Sequence, residues 1–204
     1  MSITSRLVGP FNLANILAAA ATAIGLGIDP DTVARGIAAL PGVPGRLERF
    51  GPPAGPGVFV DYAHTPAAVT QALAALETLD FSRLITVFGC GGDRDRSKRP
   101  LMGAAAAAGS HLVIVTSDNP RTEDPERIIA DILTGIPGPA PEVVVDRPAA
   151  IARLCDLLAS RPADEPWVAL IAGKGHERYI DRDGHKTSYS DQDEVERNRR
   201  RLGW

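Results

Sequence analysis

The stretch T-S-D-N-P-R-T-E-D-P, Thr116 to Pro125, follows the apolar run from His111 to Val115 and sets Asp118, Asn119, Pro120 and Arg121 in four successive positions. A guanidinium takes a carboxylate through two parallel hydrogen bonds, and an acid accepts from an ammonium. The pair therefore suits a ligand carrying both groups, an amino acid; the plainer alternative is a turn built on Asn-Pro. G-C-G-G-D-R-D-R-S-K-R-P, Gly89 to Pro100, joins three glycines to six charged side chains, four of them basic. It reads either as a solvated loop or as an anion-binding loop using Arg94 or Lys98. Arg94 stands where a dinucleotide fingerprint needs its third glycine. A-G-K-G-H-E, Ala172 to Glu177, lacks the first glycine and the Ser or Thr after Lys174 that a phosphate loop requires. Its glycines still allow close approach to a ligand, and Gly173 and Glu177 are candidates there. D-Y-A-H-T-P puts Asp61 and His64 just before a helix start, as a helix cap or as ligand-binding groups.

These stretches all lie at the ends of expected strands. Apolar runs at 58–61, 83–88, 112–116, 142–145 and 167–171 alternate with expected helices at 66–77, 100–108, 125–133 and 149–158. Alternation of this kind predicts an α/β fold, a Rossmann-like, mostly parallel sheet with helices on both faces. Ligands gather at the carboxyl ends of such strands. Ahead of the sheet, 12–26 reads as a buried helix closed by Gly25 and Gly27, and Asp29-Pro30-Asp31 opens a second helix through Leu40. Pro41 to Gly45 is the expected domain boundary, which divides the chain into 1–44 and 45–204. Asp183-Gly184 marks a hairpin or loop, and a mixed-charge helix begins at Asp191, its Arg199-Arg-Arg201 run a solvated helix end.

Bulk properties narrow the classes. A net charge of -3 and a pI near 5.8 argue against nucleic acid as a partner. The Ala-rich segment 13–28 is too weakly apolar to span a bilayer, and Arg6 alone makes a poor signal-peptide flank, so a cytoplasmic location is expected. Cys90 and Cys155 read as reduced thiols, and His64, His111, His176 and His185 form no zinc spacing. Only three of the 22 basic residues are lysines: Lys98, Lys174 and Lys186.

F-N-L-A-N-I-L-A-A-A, P-G-R-L-E, V-D-Y-A-H-T-P, F-G-C-G-G-D-R-D-R-S-K-R-P-L-M-G, T-S-D-N-P-R-T-E-D-P and A-G-K-G-H-E follow one another here. In that order they resemble the Mur ligases, and among them the MurE type, from about Leu7 to Asp191. The resemblance implies an ATP- and magnesium-dependent ligase adding meso-diaminopimelate to the UDP-MurNAc-dipeptide through an acyl phosphate. It implies that 1–44 is the helical end of a central ATP-binding domain and 45–204 the carboxyl-terminal amino-acid-binding domain. The UDP-binding domain, the phosphate loop and most magnesium ligands would lie outside, leaving the isolated chain catalytically incomplete. Carried over by motif, Asn15 would contact adenine, Arg46 the ATP phosphates and Asp61 the ribose, with His64 beside them. Arg94, Asp118, Asn119, Pro120, Arg121, Gly173 and Glu177 would bind diaminopimelate. The D-N-P-R form resembles enzymes that use diaminopimelate, whose second carboxylate Arg121 would pair; lysine has none. A stand-alone amino-acid-binding module, and a lysine-adding or folate-polyglutamylating relative, are the alternatives.

Overall fold

The computed structural model describes residues 2–51 and 57–204. Two helices, α1 (Pro10–Gly25) and α2 (Pro30–Ala39), precede the sheet. α2 starts as expected, with Asp29 accepting from the Thr32 N–H and Pro30 in the first turn. The expectation of a buried first helix fails. Of α1 only Asn12 and Ala20 are buried, and Leu13 and Leu17 are more than half exposed. Its near-continuous apolar sequence has only α2 and the edge of the sheet domain to pack on.

The sheet has six strands: β1 (Glu48–Phe50), β2 (Gly57–Asp61), β3 (Arg83–Phe88), β4 (Leu112–Val115), β5 (Glu142–Val143) and β6 (Trp167–Ala172). Their spatial order is β1-β2-β6-β3-β4-β5. β1, which the sequence pattern did not reveal, is antiparallel to β2, and the other pairings are parallel. Helices α3 (Pro66–Leu76), α4 (Lys98–Ala108), α5 (Pro125–Leu133) and α6 (Arg147–Ala159) make the crossovers. The chain runs outward through β3, β4 and β5, then returns to insert β6 between β2 and β3. That reversal opens a crevice at the strand ends.

Two cores flank the sheet, as a parallel sheet covered on both faces requires. One packs α3, α4 and α5 through Leu73, Leu76, Met102, Ile128 and Ile132 onto Phe59, Phe88 and Leu170. The other packs α6 and α7 (Asp191–Leu202) through Ile151, Leu154, Cys155 and Val195 onto Val60, Val87 and Ile171. Both cysteines are free and buried. The turn at Asp183-Gly184 joins β7 (Tyr179–Arg182) and β8 (His185–Ser188) in a separate two-stranded ribbon. α7 has Ser190 as its N-cap and Gly203 in the left-handed conformation after its last turn.

The register decides where the chemistry lies. Asp61 pairs with Ala172, Ala172 with Phe88, Phe88 with Val115 and Val115 with Val143, one row across five strands. Every segment that follows this row leaves the sheet at the same edge.

Candidate functional site

Along that edge a cavity of about 460 Å³ is lined by Tyr62, His64, Thr65, Gly91, Arg94, Asp95, Lys98, Asp118, Asn119, Arg121, Gly173, Glu177 and Tyr179. Arg94, Asp118, Asn119, Arg121, Gly173 and Glu177 thus share one space. Pro120 does not line it: it is a buried residue that borders a separate cavity with Thr122 and Arg182, and its carbonyl abuts Gly92, where a Cβ would have no room. The glycines after β3 therefore serve loop packing as well as ligand approach. At Gly173, with φ +119°, an added Cβ would stand 2.6 Å from Asp118 Oδ2.

The Gly-rich loop sorts its charges. Arg99 is wholly buried and holds Glu123 at 2.7 Å and Asp131 at 2.9 Å, while Arg96 reaches Asp131 at 3.1 Å. The Arg99 guanidinium, through its hydrogen bond, pulls Glu123 down to about 2. Asp93 accepts from the Thr122 hydroxyl at 2.8 Å and fixes the neighbouring loop. Lys98 donates to the His64 carbonyl at 2.9 Å. Arg94 is exposed and donates to the Asp93 carbonyl at 3.2 Å, and among the described residues no carboxylate lies within ion-pair distance of its guanidinium.

The loop after β4 is the most constrained. Arg121 sits at φ +52°, and its N–H donates to the Asp181 carbonyl at 3.0 Å while its own carbonyl accepts from Asp183 at 2.9 Å. These bonds clamp the β7–β8 ribbon onto it. Its Nη1 donates to the Gly92 carbonyl at 2.6 Å, which leaves the rest of the fork to meet a ligand. Asn119 donates to Glu177 Oε2 at 2.9 Å and accepts from the Asp181 N–H at 3.0 Å. Beneath them Arg147 and Asp191, both fully buried, pair at 2.8 Å. Arg147 also donates to the Ala172 carbonyl at 3.0 Å and reaches the Ser117 carbonyl at 3.4 Å, tying two strand ends together.

A second cavity, about 440 Å³, is lined by Phe11, Asn12, Asn15, Val43, Arg46, Asp61, Ala68, Gln71 and Ala72. Asn15, Arg46 and Asp61 meet here, as the motifs imply. His64 does not join them: it lines the first cavity, its Nδ1 2.8 Å from the Tyr62 carbonyl. Thr65 caps α3 from the same turn, so D-Y-A-H-T-P both begins a helix and lines a cavity. Asp61 Oδ2 accepts from the Leu47 N–H at 2.8 Å, and burial pushes its carboxyl above the ordinary value. Asp61 and Tyr62 are adjacent, so the cavities share one wall; the Arg46 guanidinium lies 5.2 Å from the Tyr62 ring centre.

Among the described residues no three His, Cys, Asp or Glu side chains converge as a metal site requires. The residues present thus do not fit a complete magnesium centre. Nor is any helix of the described residues long and apolar enough to cross a membrane. Sequence reading missed Tyr62 and Tyr179 as cavity walls and the burial of Lys174; the scarcity of lysine was the one available signal for the last.

Residues 45–175 match the family model described as Mur ligase, glutamate ligase domain. Over 180 residues the chain is 54% identical to the UDP-N-acetylmuramoyl-L-alanyl-D-glutamate–2,6-diaminopimelate ligase of Gloeobacter violaceus, covering 87% of this chain and 36% of that protein. A solved structure of a ligase of the same name superposes with a TM-score of 0.74 at 40% identity, covering 100% of this chain and 41% of that one. A folylpolyglutamate synthase of Mycobacterium tuberculosis, solved with ADP and AMPPCP, gives a TM-score of 0.66 at 29% identity over 84% of this chain and 39% of that one. The chain spans little more than a third of the curated relatives it matches. Because the family model covers more than half of the residues, this chain belongs to the Mur ligase family, of which it carries the glutamate ligase domain.

Proposed function

We propose that this chain is the amino-acid-binding part of an ATP-dependent amide ligase that adds meso-2,6-diaminopimelate to UDP-N-acetylmuramoyl-L-alanyl-D-glutamate in peptidoglycan synthesis. The observation that carries this reading is the convergence of Arg94, Asp118, Asn119, Arg121 and Glu177 on one cavity at the strand ends. Asp118 and Glu177 suit an ammonium, and Arg94 and Arg121 suit carboxylates at a distance from it. Diaminopimelate has a second carboxylate for the half-buried Arg121 fork, which Gly92 engages at one nitrogen only; with lysine the rest of the fork would meet no carboxylate, a larger loss than a missing methylene. The identities to diaminopimelate ligases favour the same choice.

The second cavity fits a nucleotide by its donor set. Asn12 and Asn15 offer amides to a base, Arg46 a guanidinium to phosphate, and Phe11 and Ala68 an apolar wall. ATP bound there would supply the phosphoryl group that activates a carboxylate for attack by an amine. This chain's own part is to hold the amine donor beside that cavity, orient it and exclude water around it. No nucleophile of the protein is needed. Among the described residues no acids converge to hold magnesium, so ATP turnover by this chain alone is not expected.

Calorimetric titration tests the reading. Meso-diaminopimelate saturates the first cavity and L-lysine binds more weakly, while an ATPase assay on the same preparation stays at background. Equal affinity for the two amino acids would overturn the substrate assignment.

A further inference from the structure

Lys174 is fully buried and lies behind the wall of the amino-acid cavity without lining it. Its ammonium donates to Asn119 Oδ1 at 2.8 Å and to the Tyr179 carbonyl at 2.7 Å. It stands 3.3 Å from Asp118 Oδ1 and 3.7 Å from Glu177 Oε2. Asn119, held at its oxygen by Lys174, presents its amide nitrogen to Glu177 at 2.9 Å. One buried cation therefore touches Asp118, Asn119 and Glu177, three of the polar groups that line the cavity. Such a cluster can be rigid only if all its members are satisfied.

The charges around it balance in a particular way. From α6 and α7, Arg147 and Asp191 face the cluster but pair with each other at 2.8 Å. From the ribbon the Tyr179 ring faces it, 5.7 Å from the ammonium. What remains is one ammonium between two carboxylates. We infer that Lys174 is the positioning residue of the cavity: it sets Asp118, Asn119 and Glu177 in place and cancels one carboxylate charge, leaving a single negative charge for one incoming amino-acid ammonium. This rests on the amino-acid reading given above. Burial draws the Lys174 ammonium below its ordinary value, Asp118 opposes that, Arg147 adds to it and Glu177 opposes it again. Replacing Lys174 removes the cation shared by Asp118 and Glu177 and leaves the two carboxylates to repel each other, so ligand binding by the variant should depend on pH differently from that of the wild type.

The test is a pH series of meso-diaminopimelate titrations on the wild-type chain, Lys174→Gln and Lys174→Met, with thermal unfolding as the check of folding. We expect affinity to fall by about tenfold or more at neutral pH, and its acid limb to move upward by roughly one pH unit. A folded variant with an unmoved acid limb overturns the inference while leaving the amino-acid reading intact. A wild-type chain that never saturates removes that reading, and the inference with it. Should both variants fail to fold, the side-chain nitrogen resonance of Lys174 in the wild-type protein decides. It shifts when the cavity is saturated with meso-diaminopimelate; a resonance indifferent to saturation overturns the proposal.

Discussion

The two cavities share a wall yet differ in how much of their geometry this chain supplies. In the strand-end cavity Asp118, Asn119, Arg121 and Glu177 are each held by a hydrogen bond or ion pair from another segment. In the neighbouring cavity Asn15 and Arg46 are exposed, and one wall comes from α1, whose Leu13 and Leu17 face outward, opposite Ala68, Gln71 and Ala72 of α3. A parallel sheet with covered faces fixes its own strand ends. A helix with one small contact surface fixes little beyond itself. Preorganisation cuts the ordering cost of binding, so the first cavity should act as a site in isolation and the second only weakly.

Several substitutions would break or sharpen that contrast. Asp191→Asn leaves Arg147 charged and buried without its partner, at a cost of about 3–5 kcal/mol in denaturant unfolding. Because Arg147 ties the Ala172 and Ser117 carbonyls, the same change should disturb the amino-acid cavity more than the α1 side, as measured by hydrogen exchange. Arg121→Ala removes the fork while the ribbon stays clamped by the Arg121 backbone. Discrimination between diaminopimelate and lysine should fall by about 2 kcal/mol, roughly thirtyfold, in competition titrations. The Glu123 carboxyl supplies a smaller, pH-dependent effect. Its folded-state value, near 2, lies below the ordinary 4.5, so its contribution is complete above about 4.5 and disappears as pH falls through 2. Glu123→Gln should flatten that part of the acid unfolding curve and loosen Asp93, whose N–H donates to Glu123 at 2.6 Å. Leu17→Glu on the exposed face of α1 should change the stability of this chain by less than about 0.5 kcal/mol.

Strand and helix order were legible because apolar runs ending in Gly, Asp or Asn-Pro mark β–α junctions without help from tertiary contacts. Arg83–Phe88 and Pro125–Leu133 have the bounds their patterns predict. The three-residue β1 was not legible, since E-R-F is too short and polar to show a strand pattern, and it lies against β2 next to the Leu47 N–H that Asp61 captures. The exposure of α1 was hidden too: an Ala-rich helix has the same sequence whether or not a partner covers it. At the site, residue types gave the chemistry, but division between cavities came from the register. His64 and Asp61 stand three residues apart on a turn that points them into different spaces. Lys174 was invisible as a support because burial depends on the Tyr179 and Asn119 segments folding over it.

The most direct measurement is the structure of this 204-residue chain crystallised with meso-diaminopimelate at saturating concentration. The account predicts ligand density in the strand-end cavity, with one ammonium between Asp118 and Glu177 and the far carboxylate on the Arg121 fork. Density elsewhere, or a ligand whose far carboxylate turns away from Arg121, would contradict it.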